Sequence, residues 1–316
     1  MASITRRGFV KGAGLVASGL LTPSSLGAQT RAQSPESGKA DRFRALLAGP
    51  EPVLSPAAYD VLSARLIEEM GFPVITVGGS AVSAQHGIPD VGLITITELI
   101  EFAGNIAENV STPVFADCDD GGGSPINVYR AMRQAEKFGI AAVMYEDTVT
   151  IKHLGGRSDL ITKEQMVDKI KSAVDARQKN TVIIARTDAL SERHPMAEAL
   201  ERGVACAEAG ADIIFFSGMS LADSPKASAA VKKPLMSTVG GATTPDKLKE
   251  ARIGFGVYAG QILQIGLGAA YQALLELKTS GLMTNAAKLS IPGDVYQKLI
   301  DSAEVTERAR KYNLIK

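Results

Sequence analysis

The strongest constraint on this chain is a pattern that repeats from about residue 41 onward. A helical segment ends at a glycine, and a short apolar run follows. A glycine suits the left-handed residue that ends many helices, and a short apolar run suits a parallel strand buried on both faces. Four copies, each glycine with its run, are Gly71 with 74–77, Gly139 with 141–145, Gly210 with 213–216 and Gly254 with 255–258.

Four further apolar runs bring the number of predicted strands to eight: 53–55, 114–119, 182–186 and 234–238. Eight strands alternating with helices over about 250 residues favour an α/β fold of the (β/α)8 TIM barrel type over an open doubly wound sheet. No glycine fingerprint for a dinucleotide follows any of these strands, which also disfavours the open sheet.

Composition fits one large soluble domain. The 316 residues are 45% hydrophobic, which is enough for a sizeable core. The formal net charge of zero argues against nucleic acid as the main partner. We expect both cysteines, Cys118 and Cys206, to be small buried side chains and not parts of a disulfide framework.

The first residues predict an export signal. The pair Arg6-Arg7, with Phe9 and Lys11, precedes an apolar run and then small residues, which resembles a twin-arginine signal. We therefore predict a signal peptide over 1–28, a linker over 29–40 and the barrel domain over 41–316. The expected location is periplasmic, with no membrane contact once the signal is removed, because the apolar run is too short for an ordinary membrane anchor.

Carboxylates follow the third strand directly. Asp117 and Asp119 would share one face of an extended strand, just before three glycines at 121–123. Two such carboxylates repel each other unless a cation, a proton or a basic group lies between them, and oxygen ligands suit Mg2+ or Mn2+. Two solvated aspartates at a loop entrance, with Asp120 as a turn residue, are the open alternative.

The active site of a barrel lies at the carboxyl ends of its strands. Here these ends are polar: Tyr59, Gly79-Ser80, Asp117, Asp119, Glu146, Arg186, Ser217 and Ser237-Thr238. Their convergence favours a metal site over scattered loop carboxylates. The loop over 148–161, which carries Lys152 and His153, is either a lid or an ordinary surface loop. His86 lies near the predicted mouth, and His194 is expected at the surface.

Several motifs together resemble the isocitrate lyase/phosphoenolpyruvate mutase superfamily over about residues 41–290. The similar stretches are 56–65, 77–80, 88–92, 117–119, 145–147, 184–189 and 209–212. The resemblance implies a barrel whose last helix, the apolar segment 259–279, is swapped between subunits of a homo-oligomer, a dimer or a tetramer. It also implies a small carboxylate substrate.

The resemblance further implies roles for single residues. Mg2+ would lie near Asp117, supported by Asp119 and Glu146. Substrate oxygens would lie against Arg186 and the Gly79-Ser80 amides. Apart from the resemblance, the place of Tyr59 and Ser217 at polar strand ends predicts that they also contact substrate. Asp90, Lys152 and Arg186 would be the catalytic residues.

The chain departs from the superfamily's cleavage enzymes at several positions. Residues 152–156 read Lys-His-Leu-Gly-Gly in place of Lys-Arg-Cys-Gly-His, so the loop thiol is missing. Glutamates expected after strands 6 and 7 are replaced by Ser217-Gly218 and by residues 237–241, and the glycine loop lacks a tyrosine.

We therefore predict a Mg2+-dependent lyase acting on a small 2-oxo or 2-hydroxy dicarboxylate through an enolate, without a catalytic cysteine. The alternatives are a phosphonopyruvate-type mutase or hydrolase, an oxaloacetate decarboxylase, or an exported barrel that only binds a small oxo acid.

Overall fold

The computed structural model describes residues 38–154 and 158–316. The predicted signal peptide and most of the predicted linker lie outside the described residues. The strands are β1 (Val53–Pro56), β2 (Ile75–Val77), β3 (Val114–Asp117), β4 (Ala142–Glu146), β5 (Val182–Thr187), β6 (Ile213–Phe216), β7 (Leu235–Thr238) and β8 (Ile253–Tyr258). The α-helices are α1 (Lys39–Leu47), α2 (Val61–Glu69), α3 (Gly79–Gln85), α4 (Ile96–Asn109), α5 (Pro125–Lys137), α6 (Lys163–Ala176), α7 (Met196–Glu208), α8 (Ser224–Val231), α9 (Pro245–Glu250), α10 (Gln261–Ser280), α11 (Gly293–Leu299) and α12 (Ser302–Lys311), with a 3-10 helix at Ala286–Leu289.

The eight strands form one parallel sheet in the order β1-β8-β7-β6-β5-β4-β3-β2. The ends of this sheet meet where Ala57 bridges Thr76 and the Ala58 N–H donates to the Thr76 carbonyl at 2.8 Å. Helices alternate with the strands, so the prediction of a (β/α)8 barrel is confirmed.

The barrel interior is filled at its amino-terminal end. Phe255 of β8 packs edge-on against Phe43 of α1, with ring centroids 5.0 Å apart, and against Phe115 of β3 at 5.5 Å. Helix α1 thus covers the end opposite the strand termini that carry polar residues. It begins at Lys39, two residues before the predicted domain boundary, and the Lys39 ammonium donates to the Val110 carbonyl at 2.7 Å.

The glycine pattern holds at three of its four positions. Gly71, Gly139 and Gly210 have φ angles of 78°, 72° and 109°, in the left-handed region that L side chains rarely adopt. The fourth prediction is wrong: Gly254 lies inside β8, and Arg252 takes the left-handed conformation, with a φ of 56°. A Cβ on Gly254 would come within 3.3 Å of Pro234 Cβ, so close packing explains this glycine.

Helix α10 has 20 residues and none of them is buried. Its large apolar side chains are exposed in this single chain: Ile265, Leu267, Tyr271, Leu274, Leu275 and Leu277. No helix within 38–154 or 158–316 has the length and hydropathy to cross a membrane.

Candidate active site

Asp117 and Asp119 lie side by side at the end of β3, but not for the predicted reason. The strand ends at Asp117, and Asp119 has a left-handed φ of 47°, so strand alternation does not align the two side chains. Instead the chain turns, and the Asp119 N–H donates to Asp117 Oδ1 at 3.2 Å. The Asp119 carbonyl accepts from the Glu146 N–H at 2.9 Å, which attaches the turn to the end of β4.

Glu146 is the third carboxylate of the group. It ends β4 opposite Arg186 of β5, because the two strands pair in register. Its side chain is fully buried, and Arg186 Nη1 lies 3.0 Å from its Oε2. Thr148 donates a short hydrogen bond to its Oε1. Ligand oxygens of Asp117, Asp119 and Glu146 all lie within 4.8 Å of one another.

Lys152 is buried among these acids. Its Nζ lies 2.6 Å from Asp119 Oδ1, 3.3 Å from Glu146 Oε1 and 3.7 Å from Asp90 Oδ1. Lys152 is therefore a buried side chain and not a solvated cation on a surface loop. Sequence reasoning could not decide this, because the path of the loop over 148–161 determines where the ammonium points. Whether this loop moves as a lid stays a prediction.

Arg186 is held by a partner that the sequence analysis did not assign to the site. Asp188 accepts from Arg186 Nε at 2.7 Å and from Nη2 at 2.8 Å. The guanidinium also lies over the Phe215 ring, 5.6 Å from its centroid. Asp188 thus occupies the edge formed by Nε and Nη2, and Nη1 faces Glu146 Oε2 at 3.0 Å. Because Nη1 and Nη2 each carry a second N–H, those two groups remain for a substrate carboxylate.

Asp147 supports this arrangement from behind. It is fully buried and accepts from the Asp188 N–H at 2.9 Å and from the Thr187 hydroxyl at 2.7 Å. Arg202 of α7 compensates its charge at 3.2 Å. The hydrogen bonds and the ion pair of Asp147 therefore fix the position of the Arg186–Asp188 pair.

The proton affinities within the site differ sharply. Burial and the adjacent Asp117 carboxylate raise the pKa of Asp119 to about 8, although Lys152 opposes this. Burial also raises the pKa of Asp117. At Glu146 burial acts in the same direction, but Arg186 and Lys152 outweigh it and lower the pKa to about 2. The surrounding carboxylates likewise outweigh burial at Lys152 and raise its pKa. The site holds more negative charge than its cations neutralise.

These residues fit a divalent ion. The three donors are all oxygens, which Mg2+ and Mn2+ prefer. Two buried oxygens, Glu146 Oε2 and Asp90 Oδ1, accept no hydrogen bond. Each of these oxygens does face a cation, Glu146 Oε2 at 3.0 Å from Arg186 Nη1 and Asp90 Oδ1 at 3.7 Å from Lys152 Nζ. A divalent ion would neutralise the remaining negative charge of the site.

Comparison with known proteins agrees with this geometry. The family described as phosphoenolpyruvate phosphomutase matches residues 43–278. The 2,3-dimethylmalate lyase of Eubacterium barkeri is 41% identical over 218 residues, which cover 67% of this chain and 72% of that protein.

The chain belongs to the phosphoenolpyruvate phosphomutase family.

Solved structures of this family are also similar. The phosphoenolpyruvate phosphomutase from Streptomyces platensis subsp. rosaceus has a TM-score of 0.79 and 32% identity, covering 86% of this chain and 99% of that one. A phosphonopyruvate hydrolase in complex with oxalate and Mg++ has a TM-score of 0.78 and 26% identity, covering 87% and 99%. The predictions of the isocitrate lyase/phosphoenolpyruvate mutase superfamily, and of an enzyme of its carbon–carbon lyase type, are confirmed at the level of the family.

Two of the remaining predicted site residues lie against the carboxylates. Asp90 is within 3.7 Å of Lys152 Nζ. Gly79, in the first turn of α3, lies close to the carboxylate side chains. A Cβ on Gly79 would lie 3.0 Å from Asp119 Oδ1 and 3.5 Å from Asp90 Oδ1. A side chain at position 79 would therefore crowd the cluster that this family member builds.

The other three lie farther out. Ser80 is exposed, and Tyr59 and Ser217 are half-buried. No hydrogen bond or ion pair joins the side chains of these three described residues to the cluster. The Tyr59 hydroxyl lies beside α10, where a Cβ on Gly266 would be 3.2 Å from it. Their assignment to substrate binding stays a prediction.

The histidines and cysteines stay out of the cluster. His86 is exposed and its Nδ1 lies 2.9 Å from the Val82 carbonyl, while His194 pairs with Glu198 at 2.9 Å. His153 is exposed. Cys118 and Cys206 are both buried, and burial raises the pKa of Cys206 to about 12, so neither is a reactive thiolate.

Sequence reasoning missed Thr148 and Asp188. Each lies two residues beyond a predicted site residue, Glu146 or Arg186, and the structure brings each pair into contact. The run Arg186-Thr187-Asp188 carried the available signal, since alternate residues of a strand share a face.

Proposed function

We propose that this protein is a Mg2+- or Mn2+-dependent lyase that cleaves a carbon–carbon bond in a small 2-oxo or 2-hydroxy dicarboxylate. The observation that carries the proposal is the convergence of three carboxylates, one lysine and one arginine at the ends of β3, β4 and β5. A similar protein is named a lyase of 2,3-dimethylmalate, and a similar structure holds oxalate and Mg++, which supports both the reaction and the ion.

In this proposal Asp117, Asp119 and Glu146 hold the ion. Bound there, it would supply positive charge beside an oxygen on which an enolate develops. Arg186 binds the substrate carboxylate through the remaining N–H groups of Nη1 and Nη2, and Asp188 holds the guanidinium in position. Cleavage of a 2-hydroxy dicarboxylate between C2 and C3 needs a base that takes the C2 hydroxyl proton. The C2 oxygen then becomes the carbonyl of the released 2-oxo acid, and the departing acid leaves as its enediolate, which takes up a proton at carbon.

Lys152 is the group we assign to proton transfer or to stabilising the departing fragment. Among the residues that the structure describes, the Lys152 ammonium is the cation closest to the carboxylate cluster. Both cysteines are buried outside this cluster. Positioned acids and bases contribute about 10²–10⁴-fold to rates. Lys152→Ala should therefore lower kcat by at least about 100-fold, while Lys163→Ala, at the exposed start of α6, should leave kcat unchanged. Equal losses of kcat and oxalate affinity in Lys152→Ala would make Lys152 a binding residue instead.

Two other activities use the same groups. Oxaloacetate decarboxylation breaks a bond at C3 to carbon, and phosphonopyruvate cleavage breaks one to phosphorus. Both leave an enolate.

The test is a Mg2+-containing assay of dimethylmalate, a methylisocitrate-like acid, oxaloacetate and phosphonopyruvate, with pyruvate and inorganic phosphate as readouts. We expect release of a 2-oxo acid without phosphate. Phosphate release from phosphonopyruvate would favour the hydrolase. Oxalate binding with no turnover of any acid would mean a protein that only binds an oxo acid.

We further propose that α10 packs against another copy of the chain, which would bury its exposed apolar side chains. Light scattering should give a mass that is a multiple of the chain's 33.1 kDa. A monomeric mass at micromolar concentration would contradict this.

Export by the twin-arginine route is a proposal that rests on Arg6 and Arg7. Changing both to lysine should retain the precursor in the cytoplasm, because the arginine pair is the part read by the receptor. Normal export of the double-lysine precursor would point to the general secretory route.

A further inference from the structure

The segment that leads to Lys152 has one side chain anchored on the glycine loop. Thr150 Oγ1 donates to Asp120 Oδ2 at 3.0 Å. Within 149–154, all of which the structure describes, no other side chain hydrogen-bonds to residues 120–123. The base of the segment is fixed separately, because the Val149 N–H donates to the Asp159 carbonyl at 2.7 Å.

Asp120 is itself held in place from two sides. Its Oδ1 accepts from the Gly122 N–H at 2.8 Å, and its carbonyl accepts from the Lys169 ammonium at 2.7 Å. Lys169 comes from α6 and is buried, and its burial lowers its pKa. A buried ammonium directed at one carbonyl makes Asp120 a fixed acceptor and not a free turn residue.

The other side of Thr150 fits against a glycine. Gly92 has a φ of 80°, and a Cβ there would come within 3.0 Å of Thr150 Cγ2. Next to it, the Val91 carbonyl accepts from the Lys152 N–H at 3.3 Å. The Thr150 side chain is therefore held between Gly92 and Asp120, two residues before the catalytic candidate.

We infer that Asp120 and Thr150 are positioning residues that hold Lys152 in reach of the carboxylate cluster. The catalytic meaning of this inference rests on the proposed function. Neither residue touches the cluster itself, so each acts through the main chain of 150–152. One hydrogen bond changes such a conformational equilibrium by roughly two- to tenfold.

The test uses the rate of trypsin cleavage between Lys152 and His153 to measure how often the segment 149–154 opens. This needs no substrate and no ion, so it reads the positioning even if the proposed reaction is wrong. Thr150→Val keeps the shape and the methyl contact with Gly92 but loses the hydroxyl. We expect cleavage at Lys152 to become roughly two- to tenfold faster in this variant.

Two controls separate the hydrogen bond from general loosening. Thr150→Ser keeps the hydroxyl and should restore the parent cleavage rate. Val149→Thr, an isosteric change at the exposed neighbouring position, should also cleave at the parent rate. Cleavage at Lys163, on the first turn of α6, is the internal reference and should stay constant in all variants.

Asp120→Ala and the Thr150→Val/Asp120→Ala double variant complete a cycle. If the pair acts as one unit, the double variant cleaves no faster than the faster single variant. An unchanged rate in Thr150→Val, strictly additive effects, or equal acceleration at Lys163 would overturn the inference. With a substrate in hand, kcat should fall in Thr150→Val and recover in Thr150→Ser, while oxalate affinity stays constant.

Discussion

The two halves of the barrel mouth differ in charge. The half formed by the ends of β3, β4 and β5 carries the carboxylate cluster, Arg186 and Lys152. The half formed by β6, β7 and the segment after β1 carries hydroxyl groups, among them Ser217, Ser237 and Tyr59. In the proposed function the charged half holds an ion and an oxo acid, whereas the hydroxyl groups named for the other half offer hydrogen bonds without charge. We interpret the charged half as the place of bond cleavage and the uncharged half as the place that selects the departing fragment.

The largest effect should come from Asp117, the member of the cluster that ends β3. Asp117→Ala should abolish Mg2+-dependent oxalate binding, because it removes one of three donors. Thermal stability should be unchanged or slightly higher, since burial raises the pKa of this carboxyl and removing it relieves repulsion with Asp119. Calorimetric titration and thermal unfolding measure the two quantities.

The matched control for that variant is Asp175→Ala, on the exposed face of α6. It should bind oxalate and Mg2+ as the parent does. If Asp117→Ala retained the metal affinity of the parent, Asp117 would not be a metal ligand. The assignment of the ion to the charged half of the mouth would then be wrong.

The next largest effect concerns Arg186. Arg186→Lys should weaken binding of every 2-oxo acid alike, by roughly 10- to 100-fold, because lysine cannot make planar paired contacts with Asp188 and a carboxylate. Asp188→Asn should give a smaller loss in the same direction. Dissociation constants for oxalate and pyruvate measure this, and a loss confined to one acid would contradict the assignment of Arg186 to the shared carboxylate.

The smallest effect should lie in the uncharged half. Ser217→Ala should change KM for a full substrate by roughly two- to tenfold, the range of one hydrogen bond, and leave oxalate affinity unchanged. Steady-state kinetics on the substrate and oxalate inhibition check this together. Equal changes in both would mean that Ser217 lies in the half that holds the oxo acid.

Local patterns made the fold and the carboxylate cluster of Asp117, Asp119 and Glu146 predictable. Apolar runs and helix-ending glycines gave eight strands, and strand ends meet at one mouth in any such barrel. The exceptions have specific causes. Gly254 looks like a helix-ending glycine but lies inside a strand, where Pro234 leaves no room for a side chain. Asp119 joins Asp117 through a left-handed turn that sequence alternation does not describe.

The burial of Lys152 and the fork between Arg186 and Asp188 were not predictable in the same way. The first depends on the three-dimensional path of a long loop, which Thr150, Asp120 and Gly92 fix. The second depends on which of two neighbouring acids, Glu146 or Asp188, takes each edge of the guanidinium. The first is a long-range contact that residue spacing does not encode. For the second, the spacing places Asp188 on the same face as Arg186 but does not encode the rotamers that decide the edge.

The most direct test of the central claim is the Mg2+ dependence of oxalate binding to the intact protein. Oxalate mimics the enolate of pyruvate and needs only the charged half of the mouth. Calorimetric titration with Mg2+ should give a dissociation constant at least about tenfold lower than titration after treatment with a chelator, because the cation neutralises the carboxylates that face the ligand. Equal affinity with and without the ion would contradict the account, since the lysine and arginine alone would then hold the oxo acid.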